Sequence, residues 1–396
     1  MRRKNIHHLS LKVHFHWPCI LPIIVRMSEI SVKAPARVNI IGEHTDHNRG
    51  FVLPTTTALY TRVDAAPRTD NIVEVTSRHY DETQSFSLDD LAPGNHVTWI
   101  EYVKGVAAEI QAGGVSLRGA TIAIEGDIPV GGGLSSSASL ELAVATALLG
   151  VAEEILPAPI LAELCQRAEH NYAGVQCGIM DQYTIACAEK GNAILLDCRS
   201  LDVAQVPIPD NARFILTDSG VRHRLPDGHY NNRADECAAA VSKLAAIVPG
   251  FQSLRDLDAE TLQAHEKSLG DVLFRRCRHV QTENDRVQEA VVALRQGDLN
   301  RLGGLLNACH ESLRDDFEVS CNELEVLVRI ANACPGVLGS RMVGAGFGGC
   351  VLSLTSASDA EEAARQISSN YTAKLGTQPW MHIVQASHPV REVDNP

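Results

Sequence analysis

The chain has 396 residues, 45% hydrophobic and 21% charged, with a formal charge of −13 and a mean hydropathy near zero. A deficit of Lys and Arg excludes nonspecific nucleic-acid binding, which draws its affinity from neutralised phosphates, and no apolar run reaches the roughly 18 residues of a membrane helix. That length exceeds one comfortable hydrophobic core, so two domains of ordinary size are expected, acting on small molecules.

Residues 1–26 differ from the rest, with five basic and no acidic residues, the run "CILPIIV", and His7, His8, His14 and His16. The apolar run is short, contains Pro22 and lacks a small-residue cleavage site, so a secretory signal does not fit. The histidines are a candidate metal set; the preferred reading is an upstream extension outside the fold, with Met27 as the start. The eleven cysteines form no C-x-x-C pair and sit in apolar helical text, as buried thiols of a reducing, cytoplasmic compartment would.

From Ile30 the text alternates as strands do: "ISVKAPARVNII", "FVLPTTTALYTRV", "NIVEVTS" and, after a loop, "ATIAIEGDIPV". "SASLELAVATALLG" and "PAPILAELCQRAEHNYAG" have helical spacing, and "AILLDCRSL" reads as a strand. A second unit opens with "ARFILTDSG", continues through helical text near 230–248, 284–314 and 322–334, and closes with "SRMVGAGFGGCVLSLT", a helical "SDAEEAARQISSNYTAKLG" and "WMHIVQAS". Two α+β units follow, 27–205 and 206–390, the second ferredoxin-like, with a site between them.

Three stretches carry chemistry. "GDIPVGGGLSSSASLELA" bares backbone amides at Gly131, Gly132 and Gly133, adds the hydroxyls of Ser135, Ser136 and Ser137 around Leu134, and aims a helix N-terminus at the loop; this is a phosphate cradle without the G-K-[ST] of a Walker A loop. "GAGFGGC" formally satisfies G-x-G-x-x-G but runs into a strand, so it reads as a tight loop where backbone closely approaches a ligand or another loop. In "CGIMDQY", Asp181 lies in apolar text, where a carboxylate caps a helix, pairs with a cation or accepts a proton. A base, a cation (Arg37), a phosphate loop and the ionisable turn "GEHTDH" together compose a phosphoryl-transfer site.

These segments resemble the motifs of the GHMP small-molecule kinases, and within them the galactokinase branch: "ARVNIIGEHTDHNRGFVLPTT" is similar to its N-terminal motif, "PVGGGLSSSAS" to its ATP motif and "SRMVGAGFGGC" to its C-terminal motif, with "CGIMDQY" and "LLDCRSL" matching in order across residues 30–388. The resemblance implies the two-domain GHMP fold and transfer of the γ-phosphoryl of ATP to the C1 hydroxyl of D-galactose. It implies that Glu43, His44, Asp46, Gly178 and Tyr230 bind the sugar, that Asp181 takes the hydroxyl proton and that Arg37 offsets phosphoryl charge. Loop 131–137 would hold ATP, and Mg²⁺ would sit near Ser137 and Glu169. Trp99 and Tyr102 are candidate neighbours of the adenine, and the enzyme would act as a monomer or weak oligomer.

Departures from the family pattern cluster at the turn: Ala36 replaces a glycine, His47 stands where tyrosine is common, and Arg49 where a small or neutral residue is expected. They leave open a sugar-1-kinase for N-acetylgalactosamine, arabinose or galacturonate. A non-catalytic galactose sensor is the reading from another class, disfavoured by the intact "GLSSSAS", Arg37 and Asp181.

Overall fold

The computed structural model describes residues 30–129, 132–221 and 229–394, with His229 and Tyr230 described in backbone only. The expected extension 1–26, Gly131 and the side chain of Tyr230 therefore lie outside the described residues.

The first sheet is built from β1 (Ile30–Asn39), β2 (Phe51–Val52), β3 (Pro54–Pro67), β4 (Ile72–Ser77), β5 (Glu82–Ser87), β6 (Ala120–Gly126), β7 (Asn192–Asp197) and β8 (Val203–Pro207). Its main path runs β5-β4-β6-β3-β1, and β4 against β6 is a parallel pairing. Helices α1 (Trp99–Ala112), α2 (Ser136–Ala152), α3 (Ala158–Ala168) and α4 (Met180–Cys187) pack on one face. Helix α2 is buried nearly all round, which its Ala- and Leu-rich text permits without any amphipathic stripe.

Strand β1 contains the feature that positions the site. Its register against β3 shifts between Pro35 and Arg37, where proline has no N–H to give the ladder. The extra residue reverses the pleat: Val32 and Ala34 enter the core shared with α2 and α4, whereas Ala36 and Val38 enter the core of the second unit. Arg37 is thereby delivered to the α2 and α4 side, where an unbroken strand would have put Ala36.

The second sheet holds β9 (Ala212–Asp218), β10 (Val337–Met342), β11 (Cys350–Ser356) and β12 (Met381–Val384) in the antiparallel order β10-β11-β9-β12. Between β9 and β10 run α5 (His229–Ala245), α6 (Ala259–Ala264), α7 (Glu266–Leu269), α8 (Asp271–Gln296), α9 (Leu299–Asp315) and α10 (Asn322–Ala333); α11 (Ala360–Leu375) joins β11 to β12. This is the expected split βαβ layer with an enlarged first crossover. The expected unit boundary at 205 falls inside β8, so the chain changes sheets between Pro207 and Ala212, and β13 (Arg391–Glu392) returns to pair with β1. No helix among the described residues is long and apolar enough to cross a membrane.

Candidate active site

Arg37 and Asp181 meet across 144 residues of sequence. Arg37 Nε donates to Asp181 Oδ1 at 2.6 Å and Nη2 to Oδ2 at 2.9 Å, a bidentate pair, while Nη1 donates to the Gly133 carbonyl at 2.6 Å. Burial opposes the charge on Arg37, but the charge and hydrogen bonds of Asp181 outweigh it and raise the guanidinium pKa. Ser135, at the start of α2, has a left-handed backbone (φ 57°), and its hydroxyl donates to Asp181 Oδ2 instead of capping its own helix. The pair leaves capacity on both sides: three hydrogen bonds engage a guanidinium with five N–H groups, and three fall on a carboxylate with about four lone-pair sites.

The ionisable turn lies beside this pair, held mostly by the second unit. Glu43 Oε1 accepts from Arg341 Nη1 at 2.9 Å and from the Gly344 amide at 2.8 Å, and Oε2 accepts from Asn39 at 3.2 Å. Arg341 is fully buried and also donates to the carbonyls of Ile40, Met342 and Asn39. His44, with a left-handed backbone, places Nε2 3.3 Å from the Ala345 carbonyl and its ring against Phe317. Burial and the neighbouring His47 and His279 keep its pKa well below the ordinary histidine range. Asp46 Oδ1 lies 3.2 Å from His47 Nδ1, and a Cβ on Gly178 would sit only 1.9 Å from Asp46 Oδ2. That spacing explains why position 178 has no side chain. Arg49, which a uronate reading would have used, is exposed.

Helix α8 braces the same turn. His279 Nε2 is 3.0 Å from the Glu43 carbonyl, Glu283 accepts from the Gly42 amide at 2.8 Å, and Asn284 accepts from the Phe51 amide at 2.8 Å. Sequence reading singles out none of these, nor the role of Arg341, because each contact spans more than 230 residues and polar residues on a helix ordinarily face solvent. A hint lay in polar groups recurring at one-turn spacing, Arg276, His279 and Glu283, with Asn284 next in sequence, all of them buried.

The cradle loop faces the second glycine cluster. A Cβ on Gly344 would lie 3.8 Å from the Gly133 Cα and one on Gly349 3.9 Å from the Gly132 carbonyl, which also accepts from Cys350 Sγ at 3.2 Å. The "GAGFGGC" loop thus closely approaches another loop. Buried Leu134 returns its carbonyl to the Arg37 amide. From this loop opens a cavity of about 380 Å³ lined by Ser136, Ser137, Tyr80, Trp99, Tyr102 and Ile128, with the room and aromatic faces a nucleobase needs. Close to Ser137 lies Glu169, whose Oε2 accepts from Gln182 at 2.8 Å. Burial raises the pKa of Glu169, and Asp181 adds like charge; burial and Glu169 do the same to Glu141. Among the described residues no group of three or more His, Cys, Asp or Glu is arranged around a metal. One hydroxyl and one carboxylate nonetheless suit Mg²⁺, which keeps waters and substrate phosphates in its shell and needs only one or two protein oxygens.

Comparison with known proteins points one way. Residues 26–67 match the galactokinase galactose-binding signature, 101–189 the GHMP kinases N terminal domain and 290–373 the GHMP kinases C terminal domain. The chain is 43% identical over 344 residues to a galactokinase of Chloroflexus aurantiacus, covering 87% of this chain and 88% of that protein. It is 43% identical over 352 residues to a galactokinase of Homo sapiens, with the same coverage. The structure superposes on Lactococcus lactis galactokinase complexed with galactose at a TM-score of 0.88 and 34% identity, covering 92% of this chain and 95% of the other. The Methanococcus jannaschii mevalonate kinase, at 16% identity and a TM-score of 0.68 over 92% of this chain and 100% of the other, shares the fold.

Proposed function

This chain belongs to the galactokinase family of the GHMP kinases, and from that premise we propose that it transfers the γ-phosphoryl of ATP to the C1 hydroxyl of D-galactose, giving galactose 1-phosphate and ADP. The observation that carries the reading is the bidentate Arg37–Asp181 pair, seated between the glycine loop and the sugar-type turn. Galactose occupies the space beside Glu43, His44, Asp46 and Gly178, with Tyr230 assigned to it by the family resemblance alone, and its C1 hydroxyl donates to the acceptor site left on Asp181. In the transfer, the hydroxyl proton passes to Asp181, the O1–P bond forms, and the bond between the γ-phosphorus and the β–γ bridging oxygen breaks, so the electron pair leaves on ADP. The N–H groups that Arg37 has not committed to protein neutralise charge on the moving phosphoryl. Alignment and charge cancellation of this kind supply most of such a reaction's acceleration.

The nucleotide lies with its base against Trp99 and Tyr102 and its phosphates on residues 131–137, where the α2 N-terminus adds favourable dipole. Ser137 and Glu169 would hold Mg²⁺, which when bound would supply countercharge to the phosphates. The acidic chain, with its cysteines set in apolar helical text, is read as a cytoplasmic monomer or weak oligomer. A panel of free sugars with ATP and Mg²⁺, assayed for ADP and for the position of the new ester, tests the function. Galactose is expected to give the highest kcat/KM, with the ester at C1, ahead of N-acetylgalactosamine, arabinose and galacturonate. No sugar-dependent ADP, or an ester elsewhere, contradicts it.

A further inference from the structure

Three carboxylates of the site each have a cation: Asp181 has Arg37, Glu43 has Arg341, and Asp46 has the imidazole of His47 at 3.2 Å. The first two cations are permanent, and the third is not. His47 stands where the family's tyrosine is common, and a tyrosine would offer Asp46 only a neutral hydroxyl. We propose that His47 is a positioning residue for the sugar: its ring, as an imidazolium, fixes Asp46 Oδ1 and holds Oδ2 against Gly178, presenting that oxygen to a galactose hydroxyl.

Asp46 and His47 side chains are each 14% exposed, and Asp46 Oδ2 fills the space a side chain on Gly178 would need, 1.9 Å from where its Cβ would lie. His47 is met by Asp46 and His44 on its own turn and by Cys237 from α5; Asp46 also feels Arg37 from β1 and Cys198 beyond β7. Burial opposes the imidazolium, but Asp46 and Cys237 outweigh it and bring its pKa up to about 9. Burial likewise opposes the Asp46 carboxylate, and His47 outweighs it, down to about 2. A folded pKa above the ordinary value means the pair is fully charged at neutral pH and is lost as pH rises through about 9.

The inference rests on the galactokinase reading, and kinetics on the whole enzyme with galactose and MgATP separate the two. His47→Phe, which removes both bond and charge, is expected to raise the galactose KM at least tenfold at pH 7.5, with kcat within about threefold and the ATP KM unchanged. His47→Asn keeps an N–H near the position of Nδ1 but carries no charge, and is expected to recover only part of that loss. The wild-type galactose KM climbs between pH 8 and 10, whereas both variants stay flat over that range. A folded His47→Phe enzyme with the wild-type KM, or a His47→Asn enzyme that keeps the alkaline climb, overturns the proposal and leaves the kinase reading intact. A wild-type enzyme that releases no ADP with galactose overturns both.

Discussion

Gly178 is a residue whose role is set by what lies against it. Its backbone is not in the left-handed region, so alanine is conformationally acceptable, and the cost of Gly178→Ala is purely the collision with Asp46. The carboxylate must swing away from the sugar space, and the galactose KM should rise about tenfold or more while the ATP KM holds, as steady-state kinetics would show. An unchanged galactose KM would separate Asp46 from sugar binding. At this scale the sequence was legible where residue types are chemically loaded. Arg37 and Asp181 were identifiable as a cation and a base, but not that Ser135 would complete their hydrogen bonding, because a serine at a helix start ordinarily caps that helix.

Among the elements, α8 braces the ionisable turn through His279, Glu283 and Asn284, and it is expected to make that turn sensitive to acid. His279 is buried between the Glu43 carbonyl and Ser312, and burial depresses its pKa to about 4. Between about pH 6.5 and 4 the unfolded chain takes up a proton that the folded one refuses, so stability present above that range is lost as pH falls through it. This single group accounts for at most ~3 kcal/mol. Thermal or urea unfolding of wild type and His279→Gln should show a shallower acid slope in the variant; the groups of opposite sign, Glu141 and Glu169, are common to both and cancel. Parallel slopes would show that His279 is not the acid-sensitive strut. The strands of alternating or continuous apolar text were legible in advance, as were α2, α3, α10 and α11. Strand β5, "ETQSFS", was not, since an edge strand with mostly solvated side chains has no apolar face to betray it. The helical text expected over 284–314 is in fact α8 and α9, broken where Gly297 turns left-handed and Asp298 caps the next helix through the Arg301 amide. Helix α1 carries a regular apolar stripe, Ile100, Val103, Val106, Ala107 and Ile110, that a stricter reading of its period would have found.

The whole molecule is two cores joined by one strand. The bulge in β1 divides that strand between them, Arg341 crosses from the second sheet to the end of β1, and glycine loops from the two halves approach without side chains between them. Of this joining only the close backbone approach of "GAGFGGC" was legible in sequence, because the bulge and the buried arginine acquire meaning only once the two sheets are assembled. The consequence is that Arg37 and Asp181 converge beside the glycine loop, at the place proposed above for the junction of nucleotide and sugar. The direct test is Asp181→Asn, which preserves shape and removes the proton acceptor. A coupled ADP assay run beside calorimetry with galactose should show turnover reduced by about 10³ or more with galactose binding within a few-fold of wild type. Retention of more than about a tenth of the wild-type rate, with binding intact, would contradict it.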